Sequence, residues 1–261
     1  MSLFRHELRQ GLRTLWIWAA AIGFLLGVCV VIYPQMGTDM DQIGAMFSEM
    51  GSFSAAFGMD KINFGTFMGF FAVECGNILG LGGALYAALA AVTSLSREEG
   101  EHTAEFLLTH PLTRTSVIAS KLLAVLSQVL LLNLIIAAVT ALTVLYIHED
   151  VPRDDMTRLL LAYLLLQLQI ALTAFGISAF LRHGGAGIGL GMAVGMYFLN
   201  LIANMTDKAA FLKYLTPYAY ADGANILTEG KIDGVYLTVG LATGLTVAAA
   251  GFLHYRRKDI A

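Results

Sequence analysis

Apolar residues gather in six long blocks, at about residues 15–33, 66–94, 118–147, 159–181, 185–203 and 235–254. A helix needs about 20 mostly apolar residues to cross the hydrocarbon core of a bilayer. In lipid the backbone must satisfy its own hydrogen bonds, so such blocks are read as helices. The pattern predicts an all-α polytopic membrane protein with six transmembrane helices, residues 1–261 forming one membrane domain.

The segments between the blocks have patterns of their own. Phe4, Leu8 and Leu12 recur every four residues, with Arg5, Arg9 and Arg13 as the adjacent stripe. That spacing predicts an amphipathic N-terminal helix lying in the interface, arginines at anionic headgroups. The plainer reading is a basic flank that only sets topology. Residues 34–65 turn Met- and Phe-rich after a polar start (Met46, Phe47, Met50, Phe53, Phe57, Met59), which predicts a surface helix. Residues 204–234 carry Phe211, Leu212, Tyr214 and Leu215, too apolar for a solvated linker. Helical pieces dipping into the leaflet are expected there.

The segment 96–121, SREEGEHTAEFLLTHPLTRTSVIASK, is different in kind: it holds seven of the 35 charged residues. Its pattern is helical from Glu98 to Thr109, with Glu98, Glu99, Glu101 and Glu105 around the first turns. Negative charge is favourable at a helix N-terminus. Phe106, Leu107 and Leu108 form an apolar group, Pro111 ends the helix, and Arg114 and Lys121 follow. One reading is a solvated loop with an apolar patch on the membrane. The functional reading is a short helix that docks in a cleft of a cytoplasmic partner.

Composition supports the membrane class. Hydrophobic residues are 57% and charged residues 13%, against about 25% charged in soluble domains; the mean hydropathy is +0.69. A net charge of -3 argues against nucleic-acid binding. Cys29 and Cys75 both fall in apolar blocks, so buried thiols are expected rather than a disulfide framework. The first block is long for a signal-peptide core and lacks a small-residue cleavage site. With six spans both termini share a side. That side holds ten Lys and Arg residues and the other six, which places both termini and the 96–121 segment in the cytoplasm of a plasma or inner-membrane protein.

Inside the blocks, Gly187, Gly191 and Gly195 are spaced by four, with Gly185 and Gly189 on a second such row. Small residues so spaced let helices approach closely, either within the chain or at a subunit contact. Gly76, Gly80, Gly83, Gly240 and Gly244 point to close packing elsewhere. Glu74 is the one acidic residue within a predicted span, a possible intramembrane polar site for an ion or substrate; its position near the outer boundary favours a wetted carboxylate. Asn133, Gln167, Gln169 and Asn200 are expected to be interhelical hydrogen-bond partners. There is no G-x-x-x-x-G-K-[ST], so this chain builds no P-loop. The six histidines are scattered without zinc-site spacing. Neither a catalytic constellation nor a bound cofactor or metal is expected.

Arg97-Glu98-Glu99-Gly100, Thr103, Glu105-Phe106-Leu107-Leu108, Pro111-Leu112, Arg114 and Lys121 together resemble the string that follows the second span in ABC-2 type transporter permeases. Tyr214-Leu215-Thr216-Pro217-Tyr218 and the ending Tyr255-Arg256-Arg257-Lys258-Asp259-Ile260 are similar to the family's C-terminal patterns. The chain departs at Glu101-His102-Thr103, where a tighter Gly-Thr is common. The resemblance covers essentially the whole chain. It implies a six-span permease, not an enzyme, that pairs with a second permease subunit and with separate ATPase subunits holding ATP and Mg. The segment after span two would be the coupling helix: Phe106, Leu107 and Leu108 in the cleft or against the bundle, Pro111 ending the helix, and Glu98, Glu99, Glu105 and Arg114 setting orientation. An amphipathic or lipidic cargo would suit the apolar outer segments. The competing functions are an ATP-independent transporter or channel built on Glu74, and a scaffold or sensor that moves nothing.

Overall fold

The computed structural model describes residues 2–36, 44, 46–47, 50–100, 113–181 and 185–257. Every regular element among these residues is helical. Six helices are long and apolar enough to cross a membrane: Leu3–Met36, Phe67–Leu95, Arg114–Ile147, Arg153–Ser178, Ala186–Met205 and Gly234–Arg257. They overlap the six apolar blocks, so this is an all-α, multi-pass membrane protein.

The second and fourth spans form the centre. Buried residues make up 56% and 67% of their most apolar windows, against 33% for the first and third and 22% for the fifth and sixth. The first span packs on the third, the second on the fourth and fifth, and the fourth on the sixth. Within lipid there is no hydrophobic drive to pair helices, so close backbone approach and interhelical hydrogen bonds must do it. Alanines supply the close approach: Ala84, Ala87, Ala88 and Ala91 of the second span and Ala162, Ala171 and Ala174 of the fourth are wholly buried. Glycine supplies it between the fourth and sixth, where a methyl at Gly176 would lie 2.2 Å from the Val247 carbonyl oxygen.

Polar side chains tie the same helices. Asn133 Nδ2 donates to Gln167 Oε1 at 2.7 Å, and Gln167 Nε2 donates to the Leu79 carbonyl at 3.2 Å, joining spans three, four and two. Tyr220 donates to Gln169 Oε1 at 2.9 Å. Of the four polar residues expected as interhelical partners, Asn133 and Gln167 have that role, while Gln169 instead meets Tyr220 in a turn of the cap. Asn200 Oδ1 is buried without a hydrogen-bond partner among the described residues. Cys29 and Cys75 are free thiols, Cys75 buried and Cys29 half-buried.

Two expectations need correction. The amphipathic N-terminus is not a separate helix: Ser2–Met36 is one helix of 35 residues. No proline or glycine pair separates residues 2–14 from the first apolar block, so the helix continues. Phe4, Leu8 and Leu12 do lie on its half-buried face and Arg5, Arg9 and Arg13 on its exposed face. Glu7 and Gly11 on that half-buried face meet the third span rather than lipid alone. Likewise, Glu98 and Glu99 do not open a new helix; they fall within Gly83–Gly100, which prolongs the second span. Ser, Arg and Glu sustain a helix well, and the first strong breaker after Leu95 is Gly100.

The opposite end is capped. Ser52–Phe57, the 3₁₀ segments Asp207–Leu215 and Pro217–Ala219, and the helix Gly223–Glu229 cover it, as the Met-, Phe- and Tyr-rich patterns predicted. Asp222 holds the last of these in place, accepting from Asn225 N at 3.1 Å. The second span enters this end through two π-helical turns, Phe71–Cys75 and Ile78–Gly82. Such turns leave the regular ladder locally and are frequent at functional sites.

Candidate functional site

At the end of the bundle away from the cap, three helices are knotted together near residues 94 and 121. Lys121 is 3% exposed in an otherwise apolar third span, and a buried ammonium needs partners. Its Nζ donates to Glu7 Oε1 at 2.9 Å, from the first span, and to the Ser94 carbonyl at 2.9 Å, from the second. Two turns deeper, Tyr86 donates to Gln128 Oε1 at 3.3 Å, and Gln128 Nε2 donates to the Glu7 carbonyl at 3.4 Å. These bonds join spans one, two and three. Thr113 opens the third span, its hydroxyl accepting from Ser116 N at 3.2 Å, and Arg114 is the first residue of that helix. Glu105, Phe106, Leu107, Leu108 and Pro111 lie outside the described residues.

Glu7, Tyr86 and Gln128 carry no local signature in the sequence. One signal was available: Glu7 is the only carboxylate in the first 36 residues, and Lys121 is the only cation within the third apolar block.

The fifth span sorts its two glycine rows. Gly189 faces the second span, where a methyl would lie 2.6 Å from Val92 Cγ1. Gly187, Gly191 and Gly195 are exposed, and a methyl at any of them would meet nothing within 4 Å. The outward stripe continues through Phe198 and Ile202.

Under the cap a polar cavity of about 50 Å³ opens between the second, fourth and fifth spans. Asn77, Tyr163, Tyr197, Asn200, Tyr218 and Asp222 contribute its polar lining. Glu74, half-buried in the first π turn, is not among the lining residues; its neighbours Val73 and Gly76 are. Burial pushes the Tyr218 phenol well up from its ordinary range, with Tyr197 adding to the shift, and burial does the same to Tyr220. Both stay neutral hydroxyls. Among the described residues no cluster of His, Cys, Asp and Glu could hold a transition metal.

Six helices long and apolar enough to cross a membrane define a multi-pass membrane protein. The chain belongs to the ABC-2 family transporter proteins, whose family profile matches residues 1–260. No curated protein is matched by the chain.

Proposed function

We propose that this chain is the membrane-spanning permease subunit of an ABC exporter, driven by separate cytoplasmic ATPase subunits that bind ATP and Mg. The observation that carries the reading is the knot at the uncapped end. Lys121, Glu7 and the Ser94 carbonyl bind three spans together at the root of the segment that resembles a coupling helix. A rigid element fixed at its root can pass a rigid-body movement to the spans. In this reading Phe106, Leu107 and Leu108 fill the ATPase cleft, and Glu98, Glu99, Glu105 and Arg114 orient the docking. Both termini are cytoplasmic in the inner or plasma membrane, on the side richer in Lys and Arg.

A second permease subunit, identical or related, packs on the outward face of Gly187, Gly191 and Gly195, which no described residue of this chain covers. The cargo is amphipathic or lipidic. Supporting this, the cap leaves Phe211, Tyr214 and Leu215 exposed by half or more, an apolar surface beside the bundle.

The test is coupling in the purified complex with its ATPase. Leu108→Arg and Glu105→Arg should leave assembly of the chain intact while separating ATP hydrolysis from transport. Unchanged coupling in both variants would remove the coupling role from this segment.

A further inference from the structure

We propose that the cavity beneath the cap is a binding site for a small monovalent cation, either an alkali-metal ion or the ammonium group of a larger molecule. Two buried oxygens at the cavity have lone pairs that no described residue uses. Asn200 is 7% exposed and Tyr218 5% exposed; both line the cavity, and neither Asn200 Oδ1 nor the Tyr218 hydroxyl has a hydrogen-bond partner among the described residues. Leaving a buried polar atom unsatisfied costs about 1–3 kcal/mol. Two such atoms facing one cavity need a ligand to account for them.

The other walls point the same way, because their donors are already committed. Tyr197 donates its hydroxyl proton to Asn77 Oδ1 at 2.8 Å, and Tyr163 points its own toward the Ala72 carbonyl at 3.5 Å. Each phenol oxygen keeps a lone pair. Asp222 adds a carboxylate, oriented by Asn204 Nδ2 on Oδ2 at 2.8 Å and by the backbone of Asn225 on Oδ1 at 3.1 Å. No Lys, Arg or His lines the cavity. The site therefore offers oxygen acceptors and one negative charge, with no positive charge against it. That composition suits a hard cation. A single carboxylate with neutral oxygens matches one positive charge, whereas divalent calcium sites gather several carboxylates.

Size and shape agree. About 50 Å³ takes a small ion or an ammonium head but no drug-sized molecule. The room exists because two wall positions lack side chains. A methyl at Gly76 would lie 2.3 Å from the Tyr163 hydroxyl oxygen, and one at Gly223 would lie 2.7 Å from the Ala72 carbonyl oxygen. The π turn Phe71–Cys75 brings that carbonyl to the wall.

The experiment uses the full-length chain in lipid nanodiscs. Thermal unfolding is followed in sodium, potassium, methylammonium and choline chlorides at one ionic strength. The expected result is a saturable rise in the melting midpoint, about 5 °C at a hundredfold excess over Kd, with at least one small cation and none with choline. A response to sodium or potassium identifies a free ion; a response to methylammonium alone identifies an ammonium head. Tyr218→Phe keeps the ring contact with Tyr197 and removes only the unpartnered hydroxyl. It should fold as the parent does in choline and lose most of the cation-dependent rise, as should Asn200→Leu. Identical curves in choline and the small cations would mean the cavity holds water only and overturn the proposal. So would a full cation response in both variants.

Discussion

Replacing Lys121 by methionine tests whether the knot at the uncapped end holds the bundle together. The parent pair is close and dry: Nζ to Oε1 is 2.9 Å, with side chains 3% and 13% exposed, and the same ammonium satisfies the Ser94 carbonyl. Met keeps the length and the apolar stem but leaves the Glu7 carboxylate and one backbone carbonyl without that donor. Removing one member of a buried pair costs about 3–5 kcal/mol. Glu7 retains some contact with water, which puts the expected loss at the lower limit, about 3 kcal/mol. Glu7→Gln keeps an acceptor for the ammonium and should cost about 1.5 kcal/mol, the lower range for a charge-assisted hydrogen bond. Glu7→Leu with Lys121→Met removes both charges together. An apolar replacement of a buried pair is often close to neutral, so the double variant should be more stable than Lys121→Met alone. The assay is equilibrium unfolding of the purified chain in detergent, read as a double-mutant cycle. A loss under about 0.5 kcal/mol for Lys121→Met, or simple additivity in the cycle, would refute the claim that the three spans are tied here. In the complex with an ATPase, the same single variant should weaken coupling while ATP hydrolysis by the ATPase persists.

Gly176→Ala should destabilise the chain by about 1–3 kcal/mol in the same unfolding assay, because the new methyl meets the Val247 backbone 2.2 Å away and a backbone cannot swing aside. Gly191→Leu should leave the stability of the isolated chain within about 0.5 kcal/mol, as expected of a surface position, since nothing lies within 4 Å of a Cβ placed there. Yet it should reduce recovery of the second permease subunit in a cross-linking pull-down; undiminished recovery would place that contact elsewhere.

The spans were legible because run length alone reports them. The physics of a bilayer demands about 20 apolar residues, and the chain supplies six such runs. The helical character of the capped end was legible for a related reason, since apolar side chains at that density must be covered. The ends of the helices were not. Helix continuation from Leu95 to Gly100, and from Ser2 through residue 14, depends on the absence of a breaker rather than on hydropathy. A charged boundary reads as a loop although Arg, Glu and Ser are good enough helix formers to carry the turn onward.

Partnerships across the bundle follow a different logic, because they join residues far apart in the chain. The glycine rows of the fifth span are periodic in the same way, and positions two apart lie on nearly opposite sides of a helix at about 100° per residue. Periodicity therefore separates the rows without saying which faces inward; only Val92 and Ala88 of the second span decide that Gly189 does. Lys121 shows the converse. An ammonium inside an apolar block announces that some acceptor must meet it, yet the acceptor lies 114 positions away and has no motif. Asn200 and Gln167 look alike in the sequence, each an amide in an apolar span. Gln167 finds Asn133 and a backbone carbonyl, while Asn200 finds a cavity. Gln167 donates into the second π turn, at the Leu79 carbonyl, whereas Asn200 Oδ1 meets no described partner. The intramembrane carboxylate at Glu74 drew notice through its charge. The oxygen-lined wall beside it, assembled from three spans and the cap, is chemically better placed to hold a cation.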